Sequence, residues 1–238
     1  MGIASRREAE RWIKEARLSV NDRTISDLGT KINPESDQVS LDGKPLSKAP
    51  PAFVYWMLHK PDKTLTSRAN RGDQQTIFDL PSLKKIPFLV SPIGRLDYRS
   101  EGLLLLSNDG TLVHRLCHPR YKVPRHYQVL SSGKLTPQEE KKIRDGLELD
   151  DGPVERVDLK YVHGQKLGAT TGSWYLVTVY EGRNRLVRRL FAALGYRVIK
   201  LLRHGFGDLR LPGDLKPGLY RQLTSAEIRS LKRAADLL

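Results

Sequence analysis

Cysteine is almost absent from this chain of 238 residues, because Cys117 is the only one. A single thiol excludes an internal disulfide and is typical of proteins in a reducing cytoplasm. The chain also lacks an apolar run of about 18 residues, the length that a membrane-spanning helix needs. No charged and then apolar leader precedes a small-residue cleavage site, so no secretory signal is indicated. We therefore expect a cytoplasmic globular protein with no membrane partner.

Motifs for metals and nucleotide cofactors are missing as well. His114, Cys117 and His118 invite a metal interpretation, but all three lie on one short predicted helix, and a zinc site needs three or four converging ligands. Gly205-Phe206-Gly207 lacks the third glycine of a dinucleotide-binding loop, and no phosphate loop ending in Gly-Lys-Ser or Gly-Lys-Thr is present. We expect neither a metal nor a cofactor.

Acidic residues are too few to balance the basic ones. Lysine and arginine number 41 against 27 aspartates and glutamates, which gives a net charge of +14 and a pI of about 9.9. Such an excess attracts polyanions, and nucleic acid is the leading candidate. An anionic membrane is less favoured, because no basic helix carries an apolar face rich in tryptophan or phenylalanine. Composition alone leaves open a basic but inert surface.

Local signals predict two units joined by a proline-containing linker. The first covers residues 1–48 and begins with a capping box, Ser5 to Glu8, that opens a helix through about Arg17. Short strands and turns follow, as in the alternation Val39-Ser40-Leu41-Asp42-Gly43. The linker is residues 49–52, where two prolines exclude both a helix interior and a central strand. Residues 53–238 form the large unit.

The large unit mixes predicted strands and helices without a regular βαβ repeat. Apolar runs predict strands at 53–58, 127–130, 174–180, 196–202 and 209–211. Helices are predicted at 111–117, after the capping boxes that begin at Thr136 and Thr224, and at 184–194. The interleaving favours an α+β fold with a mixed sheet. The segment 59–73 is polar and is predicted to be a loop.

One acidic residue, Asp97, occupies a polar loop between two predicted strands. The second of these is the unbroken run Leu103 to Leu106, which ends at the turn signal Asn108-Asp109-Gly110. Most aspartates in loops only cap a helix or close a turn. Here, however, Gly-Arg-Leu-Asp at 94–97, four intervening residues, and Gly-Leu-Leu-Leu-Leu-Ser-Asn-Asp-Gly closely resemble the catalytic loop of the RsuA/RluB-type ribosomal RNA pseudouridine synthases.

The resemblance implies a reaction, a fold and a set of site residues. The family isomerises one uridine of ribosomal RNA to pseudouridine without metal or organic cofactor, on a mixed, largely antiparallel sheet. By position, Asp97 is the catalytic carboxylate. Tyr127, in Arg-His-Tyr-Gln-Val at 125–129, lies against the flipped-out uracil, and Leu201 packs in the uracil pocket. Without the resemblance, the tyrosine and the leucine would be read as ordinary core residues.

An arginine-rich segment opens the helix predicted at 184–194. At 100° per residue its apolar side chains share one face, while Arg185, Arg188 and Arg189 cluster on the other with no acidic partner at i+3 or i+4. A solvated helix face is the ordinary explanation. The motif resembles the family element in which Arg188 pairs with the aspartate, and such a pair would keep Asp97 ionised. Substrate-binding roles are expected for these side chains: Arg95, Arg183, Arg185, Arg189, Leu201, Arg6 and Arg7.

The N-terminal unit is similar to the small RNA-binding domain that a ribosomal protein shares with many rRNA-modifying enzymes. Family members begin with a further helical turn or two before this capping box, so we expect a shortened module that lacks its first helix. Ribosomal RNA is the expected partner, at an irregular or single-stranded uridine, and the protein is expected to be a monomer. Similarity in the loop after Pro61 favours large-subunit rRNA as the substrate. Two alternatives stay open: small-subunit rRNA as the substrate, and a catalytically silent rRNA-binding ribosome-assembly factor. A pure binder would not need Asp97, Tyr127 and Arg188.

Overall fold

The computed structural model describes residues 4, 6–33, 35–46, 52–68, 72–84, 86 and 89–238. The chain divides into two compact units, Met1–Phe53 with Ile86–Val90 and Val54–Lys85 with Ser91–Leu238. The linker expected at 49–52 lies outside the described residues except for its last one. The helix cap expected at Ser5 also lies outside them.

The described residues of the small unit form one helix and one antiparallel sheet. Its elements are α1 (Arg6–Lys14), β1 (Leu18–Val20), β2 (Arg23–Ile25), β3 (Val39–Leu41) and β4 (Lys44–Pro45), and the strands lie in the order β2-β1-β3-β4. The helix ends three residues before the predicted Arg17. The reason is that Ala16 adopts a left-handed φ of 54°, which a right-handed helix excludes.

The large unit contains eleven strands and five α-helices in its described residues. The strands are β5 (Tyr55–Lys60), β6 (Ser91–Ile93), β7 (Glu101–Ser107), β8 (Arg125–Ser131), β9 (Glu148–Leu149), β10 (Gly152–Pro153), β11 (Val157–Leu167), β12 (Thr170–Val179), β13 (Val198–Phe206), β14 (Leu209–Arg210) and β15 (Tyr220–Gln222). The helices are α2 (Pro81–Lys84), α3 (Gly110–Cys117), α4 (Pro137–Gly146), α5 (Leu186–Ala192) and α6 (Ser225–Ala234).

Nine of these strands form one sheet, and β9 and β10 pair separately. The main path of the sheet runs β11-β12-β8-β13-β7-β5-β15, with β14 added to β13 and β6 added to β7. The pairing of β13 with β7 is parallel and every other described pairing of the sheet is antiparallel. The predicted α+β fold with a mixed, largely antiparallel sheet is confirmed. No helix in the described part of the chain has the length and apolar character that crossing a bilayer requires.

The core explains why the apolar run before Asn108 forms a central strand. Every residue of β7 from Gly102 to Ser107 is buried. A strand that is covered on both faces reads as a continuous apolar run rather than an alternating one. Leu103 and Leu105 pack in one cluster with Leu112 of α3 and Leu231 of α6. This covered strand gives the loop before it a rigid base.

Helix starts follow the capping signals of the sequence. The Thr136 hydroxyl accepts from the Glu139 N–H at 3.3 Å, while the Glu139 carboxylate accepts from the Thr136 N–H at 2.7 Å. The same reciprocal pair joins Thr224 and Glu227. Asp109 caps α3 through the Leu112 N–H. These caps confirm the predicted starts of α3, α4 and α6.

Two elements differ from the predictions. The segment 59–73 was expected to be a loop from its first residue, but β5 continues through Lys60, whose side chain is fully buried. The prediction was wrong at this end because it treated Lys60 as a solvent-exposed loop residue, and lysine side chains are seldom buried. The sequence also gave no strand signal for β11. Its outer half is exposed, so alternating burial is confined to its first residues.

Candidate active site

Asp97 lies in the connection between β6 and β7, two strands that pair with each other. The Ser100 N–H donates to the Asp97 carbonyl at 3.0 Å and closes a turn there. The Asp97 side chain is half-buried, and its carboxylate makes no hydrogen bond or ion pair with any described residue. The rigid sheet therefore presents a carboxylate that is free to react.

Two side chains hold the backbone of this loop. The Thr66 hydroxyl donates to the Leu96 carbonyl at 2.9 Å and accepts from the Leu96 N–H at 3.3 Å. The Lys60 ammonium donates to the Ser100 carbonyl at 2.6 Å. Burial lowers the pKa of Lys60 to about 8, although nearby carboxylates, Asp97 among them, act in the opposite direction. A buried lysine next to the Asp97 turn thus contributes both hydrogen bonding and positive charge.

The parallel pair of β7 and β13 depends on a glycine. Gly102 lies opposite Arg203 and has a φ of +112°. A Cβ atom at Gly102 would lie 2.3 Å from the Arg203 carbonyl oxygen. Only glycine allows this backbone conformation and this approach of two strands. The close contact brings β13 next to the end of the Asp97 loop.

Asp97 lies on the wall of a cavity of about 190 Å³. The volume is below the range of about 300–1,000 Å³ that drug-sized ligands occupy, so the cavity suits a single ring. The lining residues come from the Asp97 loop, α3, β8, β12, β13, the segment before α5 and the first turn of α5: Gly94, Arg95, Leu96, Asp97, Ser100, Cys117, Arg125, Tyr127, Val179, Glu181, Gly182, Arg183, Asn184, Arg185, Leu186, Val187, Leu201 and Arg203. Six of the expected site residues therefore line one cavity: Asp97, Tyr127, Leu201, Arg95, Arg183 and Arg185.

Strand periodicity explains how Tyr127 and Leu201 reach the cavity. Tyr127 of β8 lies opposite Arg203 of β13, two residues along from Leu201. Alternate residues of a strand share a face, and directly opposed residues of paired strands share it too. Tyr127 is 8% exposed and Leu201 is 5% exposed. They form a nearly closed, mostly apolar part of the wall, as a flat ring requires.

Two of the predicted substrate-binding arginines are unpaired at the mouth of the cavity. Arg95 and Arg185 line it, are exposed, and make no hydrogen bond or ion pair with a described residue. Arg185 precedes α5 and takes a left-handed φ of 51°. Exposed guanidinium groups of this kind match phosphate oxygens.

Arg183 and Arg189 form ion pairs with acidic residues that lie outside α5. Arg183 donates from Nη1 to Asp151 at 2.7 Å and lies 2.9 Å from Glu181 through Nε. Arg189 donates to Asp151 at 2.7 Å and also pairs with Asp150. The hydrogen bonds from Arg189 are the main reason that the pKa of Asp151 is lowered. The sequence prediction missed these pairs because both aspartates precede the helix by more than thirty residues.

The direct ion pair expected between Arg188 and Asp97 is not formed. Arg188 instead donates to the carbonyl oxygens of Val198, at 2.9 Å, and Arg99, at 2.5 Å. Burial is the largest cause of its lowered pKa, the nearby charge of Arg185 is the next, and Asp97 opposes both. Arg188 is therefore close enough to Asp97 for their charges to interact. It also donates a hydrogen bond to the backbone carbonyl of Arg99, two residues after Asp97.

Several cavity residues were not singled out by the sequence, notably Arg125 and Arg203. Arg125 lies two residues before Tyr127 and Arg203 two residues after Leu201, so strand alternation applied to those residues would have placed both on the cavity wall. Cys117 was considered only as a metal ligand. In the structure its sulfur accepts a hydrogen bond from the Gly94 N–H at 2.9 Å.

The expected RNA contacts of the small unit are less defined. Arg7 is exposed on α1. The side chain of Arg6 lies outside the described residues.

Comparison with known proteins finds matches over both units of the chain. Residues 54–193 match the RNA pseudouridylate synthase family and residues 1–47 match the S4 domain. The chain is 41% identical to an uncharacterized RNA pseudouridine synthase of Aquifex aeolicus, over 99% of this chain and 92% of that protein. It is 37% identical to ribosomal large subunit pseudouridine synthase B of Bacillus subtilis, over 99% and 93% of the two chains.

A solved structure agrees as well. A crystal structure of a pseudouridylate synthase has a TM-score of 0.65 and 28% identity, and the match covers 95% of this chain and 94% of that one. The family match over residues 54–193 and the full-length relatives thus indicate the same family. The chain belongs to the RNA pseudouridylate synthase family and carries an S4 domain at residues 1–47.

Proposed function

We propose that this protein isomerises a specific uridine of large-subunit ribosomal RNA to pseudouridine, with Asp97 as the catalytic carboxylate. The observation that carries the proposal is the unpaired Asp97 carboxylate on the wall of a ring-sized cavity shared with Tyr127 and Leu201. The large subunit is proposed because a relative that matches over nearly its whole length is named for that substrate.

The reaction needs such a carboxylate. The glycosidic bond between C1′ and N1 must break, the uracil must turn, and C5 must bond to C1′. A carboxylate promotes the cleavage either as a nucleophile at C1′ or as a base that removes a ribose proton. Both routes require an ionised, unblocked Asp97. Tyr127 would lie against the uracil ring while it is detached and turning.

The target nucleotide must leave its stack to reach the cavity. Unstacking costs a few kcal/mol, least at an irregular or single-stranded site. Arg95 and Arg185 are placed to bind the phosphates beside the flipped nucleotide, and the net charge of +14 favours RNA association in general. Binding energy from the RNA backbone would then offset the cost of flipping the base.

The deciding experiment maps pseudouridine in both ribosomal RNAs from cells with and without the gene. We expect one large-subunit uridine to lose its modification in the deletion strain. The wild-type gene should restore it and an Asp97→Asn gene should not. Restoration by the Asp97→Asn gene would show that Asp97 is not the catalytic carboxylate. It would favour a protein that promotes the modification through RNA binding alone. Loss of a pseudouridine from small-subunit ribosomal RNA instead would identify that RNA as the substrate.

A purified system separates the two substrates directly. The protein is incubated with transcripts of each ribosomal RNA, and pseudouridine is measured by mass spectrometry of the digested RNA. We expect product from the large-subunit transcript. Tight binding without product from either RNA, in parallel with unchanged modification in the deletion strain, would favour the silent assembly factor.

A further inference from the structure

Two arginines on the cavity wall are buried without a carboxylate partner. Arg203 is 1% exposed and Arg125 is 8% exposed. Neither makes an ion pair with a described residue. Arg203 donates from Nε to the Leu103 carbonyl at 2.7 Å, while its Nη2 is shielded from solvent and bonds to no described residue. Arg125 donates to the Val123 carbonyl at 3.2 Å.

The two guanidinium groups lie beside the same aromatic ring, that of Phe206. Their Cζ atoms are 5.6 Å and 5.5 Å from the centre of the Phe206 ring, for Arg125 and Arg203 respectively. Burial is the largest cause of the lowered pKa of Arg125, and the charge of Arg203 adds to it, while Tyr127, Cys117 and Glu181 act in the opposite direction. Arg125 packs beside Gly182, where a Cβ would lie 3.4 Å from Arg125 Nη2, an ordinary contact distance.

Such an arrangement is unfavourable for stability. A charge in a low-dielectric interior is costly unless it is paired, and two like charges repel. Preorganised positive charge is, however, what a reaction needs where negative charge develops. The pair therefore points to a ligand group that is anionic, or becomes anionic, inside the cavity.

We propose that Arg125 and Arg203 bind the carbonyl oxygens of the target uracil and stabilise the negative charge of the detached base. This inference rests on the proposed function. When the C1′–N1 bond breaks, the electron pair stays on N1 and spreads to O2 and O4. C1′ gains a bond to an Asp97 oxygen, or the ribose loses a proton to Asp97. C5 then bonds to C1′, while the C1′–O bond to Asp97 breaks or the proton held by Asp97 returns to the ribose. Loss of the C5 proton and protonation of N1 give a neutral pseudouridine.

A phosphate is the other anion that arginines often bind, but the location favours the base. Arg125 and Arg203 share strand faces with Tyr127 and Leu201, which provide flat, apolar contact for a ring. The exposed Arg95 and Arg185 are better placed for the backbone, because phosphates outside the flipped base remain near solvent. Discrimination against cytosine follows from the same contacts, since its amino group would meet a donor where uracil presents an acceptor.

The test uses the full-length protein and compares uracil with 5-fluorouracil as the leaving group. Arg125→Gln and Arg203→Gln keep an amide donor and remove the charge. Single-turnover rates are measured on an RNA with uridine at the target and on the same RNA with 5-fluorouridine, by following loss of the starting nucleoside. Arg144→Gln is the matched control, because Arg144 also donates to a backbone carbonyl, that of Leu159, but lies outside the cavity.

We expect each cavity variant to slow uridine turnover by about 10²–10³-fold, with RNA affinity and its salt dependence unchanged. Fluorine withdraws electrons and makes the leaving base less basic, so the slowing should be at least tenfold smaller on 5-fluorouridine. Equal slowing on both substrates would overturn the proposal in favour of a positioning role. Weaker binding with a reduced salt slope would overturn it in favour of a phosphate contact.

Two further measurements keep the outcomes distinct. Circular dichroism and thermal unfolding identify a variant that fails to fold. Arg203→Lys and Arg125→Lys, which retain the charge, are measured on both substrates beside the glutamine variants and carry the comparison of the two substrates where a glutamine variant does not fold. These should lose less rate than the glutamine variants, and a lysine variant as slow as its glutamine counterpart would contradict the proposal. A wild-type protein that modifies neither RNA would instead refute the proposed function.

Discussion

The ammonium of Lys60 donates a hydrogen bond of 2.6 Å to the carbonyl of Ser100, the residue that closes the Asp97 turn. A second hydrogen bond joins the same ammonium to the Pro61 carbonyl at 2.9 Å. The Lys60 side chain is fully buried, so these contacts replace the water that a lysine ordinarily keeps. The arrangement fixes the Asp97 loop to β5 at the expense of desolvating a charge.

Lys60→Met is expected to remove a pH-dependent component of stability. The pKa of Lys60 is about 8 in the folded protein and about 10.4 in an unfolded chain. Between these values the unfolded chain binds more protons, so the wild-type free energy of unfolding rises with pH relative to the variant, by up to about 1.4 kcal/mol per pH unit. Below pH 8 the difference should be flat. Urea denaturation from pH 6.5 to 10 measures it.

Lys216→Met is the control for that experiment, since Lys216 is exposed. Its difference from wild type should not change with pH over the same range. A Lys60→Met difference that is equally flat would show that the lysine keeps an ordinary pKa in the folded protein.

Asp97→Asn is expected to abolish isomerisation, with at least about a thousand-fold loss of single-turnover rate. The amide keeps the shape of the side chain and loses both its basicity and its nucleophilicity. RNA affinity should stay within a few-fold, because Asp97 forms no ion pair with a described residue whose loss would disturb the fold. Asp145→Asn, on the exposed face of α4, is the control and should keep full rate. Substantial activity in Asp97→Asn would exclude the proposed role.

Arg188→Ala and Arg185→Ala are expected to separate rate from binding. Arg188 bonds to the Arg99 carbonyl, so its loss should loosen the Asp97 loop and slow turnover by about a hundred-fold with little change in affinity. Arg185 is exposed at the cavity mouth, so its loss should weaken binding and reduce the salt slope by about 0.7–0.9. Rates and binding isotherms at several salt concentrations test both. Equal rate losses and unchanged salt slopes would contradict this division.

Gly102→Ala is expected to destabilise the large unit by more than about 3 kcal/mol. The new Cβ would meet the Arg203 carbonyl at 2.3 Å, and the φ of +112° is one that L-residues avoid. Gly110→Ala is the matched control. Gly110 is the first residue of α3, and a Cβ there would have no neighbour within 4 Å. Its replacement should change stability by less than about 1 kcal/mol, with a stabilising sign. Comparable unfolding midpoints for the two variants would disprove the steric argument.

Local patterns in the sequence were enough to find the framework of the site. The polar loop at Asp97 stands out because strand signals flank it, and the helices after Thr136 and Thr224 stand out because their caps are local. The apolar face of α5 follows from helical periodicity, and its members are buried: Leu186, Val187, Leu190 and Phe191. Each of these signals depends on residues within a few positions of one another, which is why the sequence alone determined them.

The tertiary structure decided which charges are paired. Asp151 reaches Arg183 and Arg189 across 32 and 38 residues, and no helical spacing could reveal those contacts. Arg188 binds backbone carbonyls instead of Asp97, since strand order brings Arg99 and Val198 to it. Lys60, Arg125 and Arg203 look like surface cations in the sequence and are buried in the structure. Charge pairing depends on which distant strands become neighbours, and only the completed sheet establishes that.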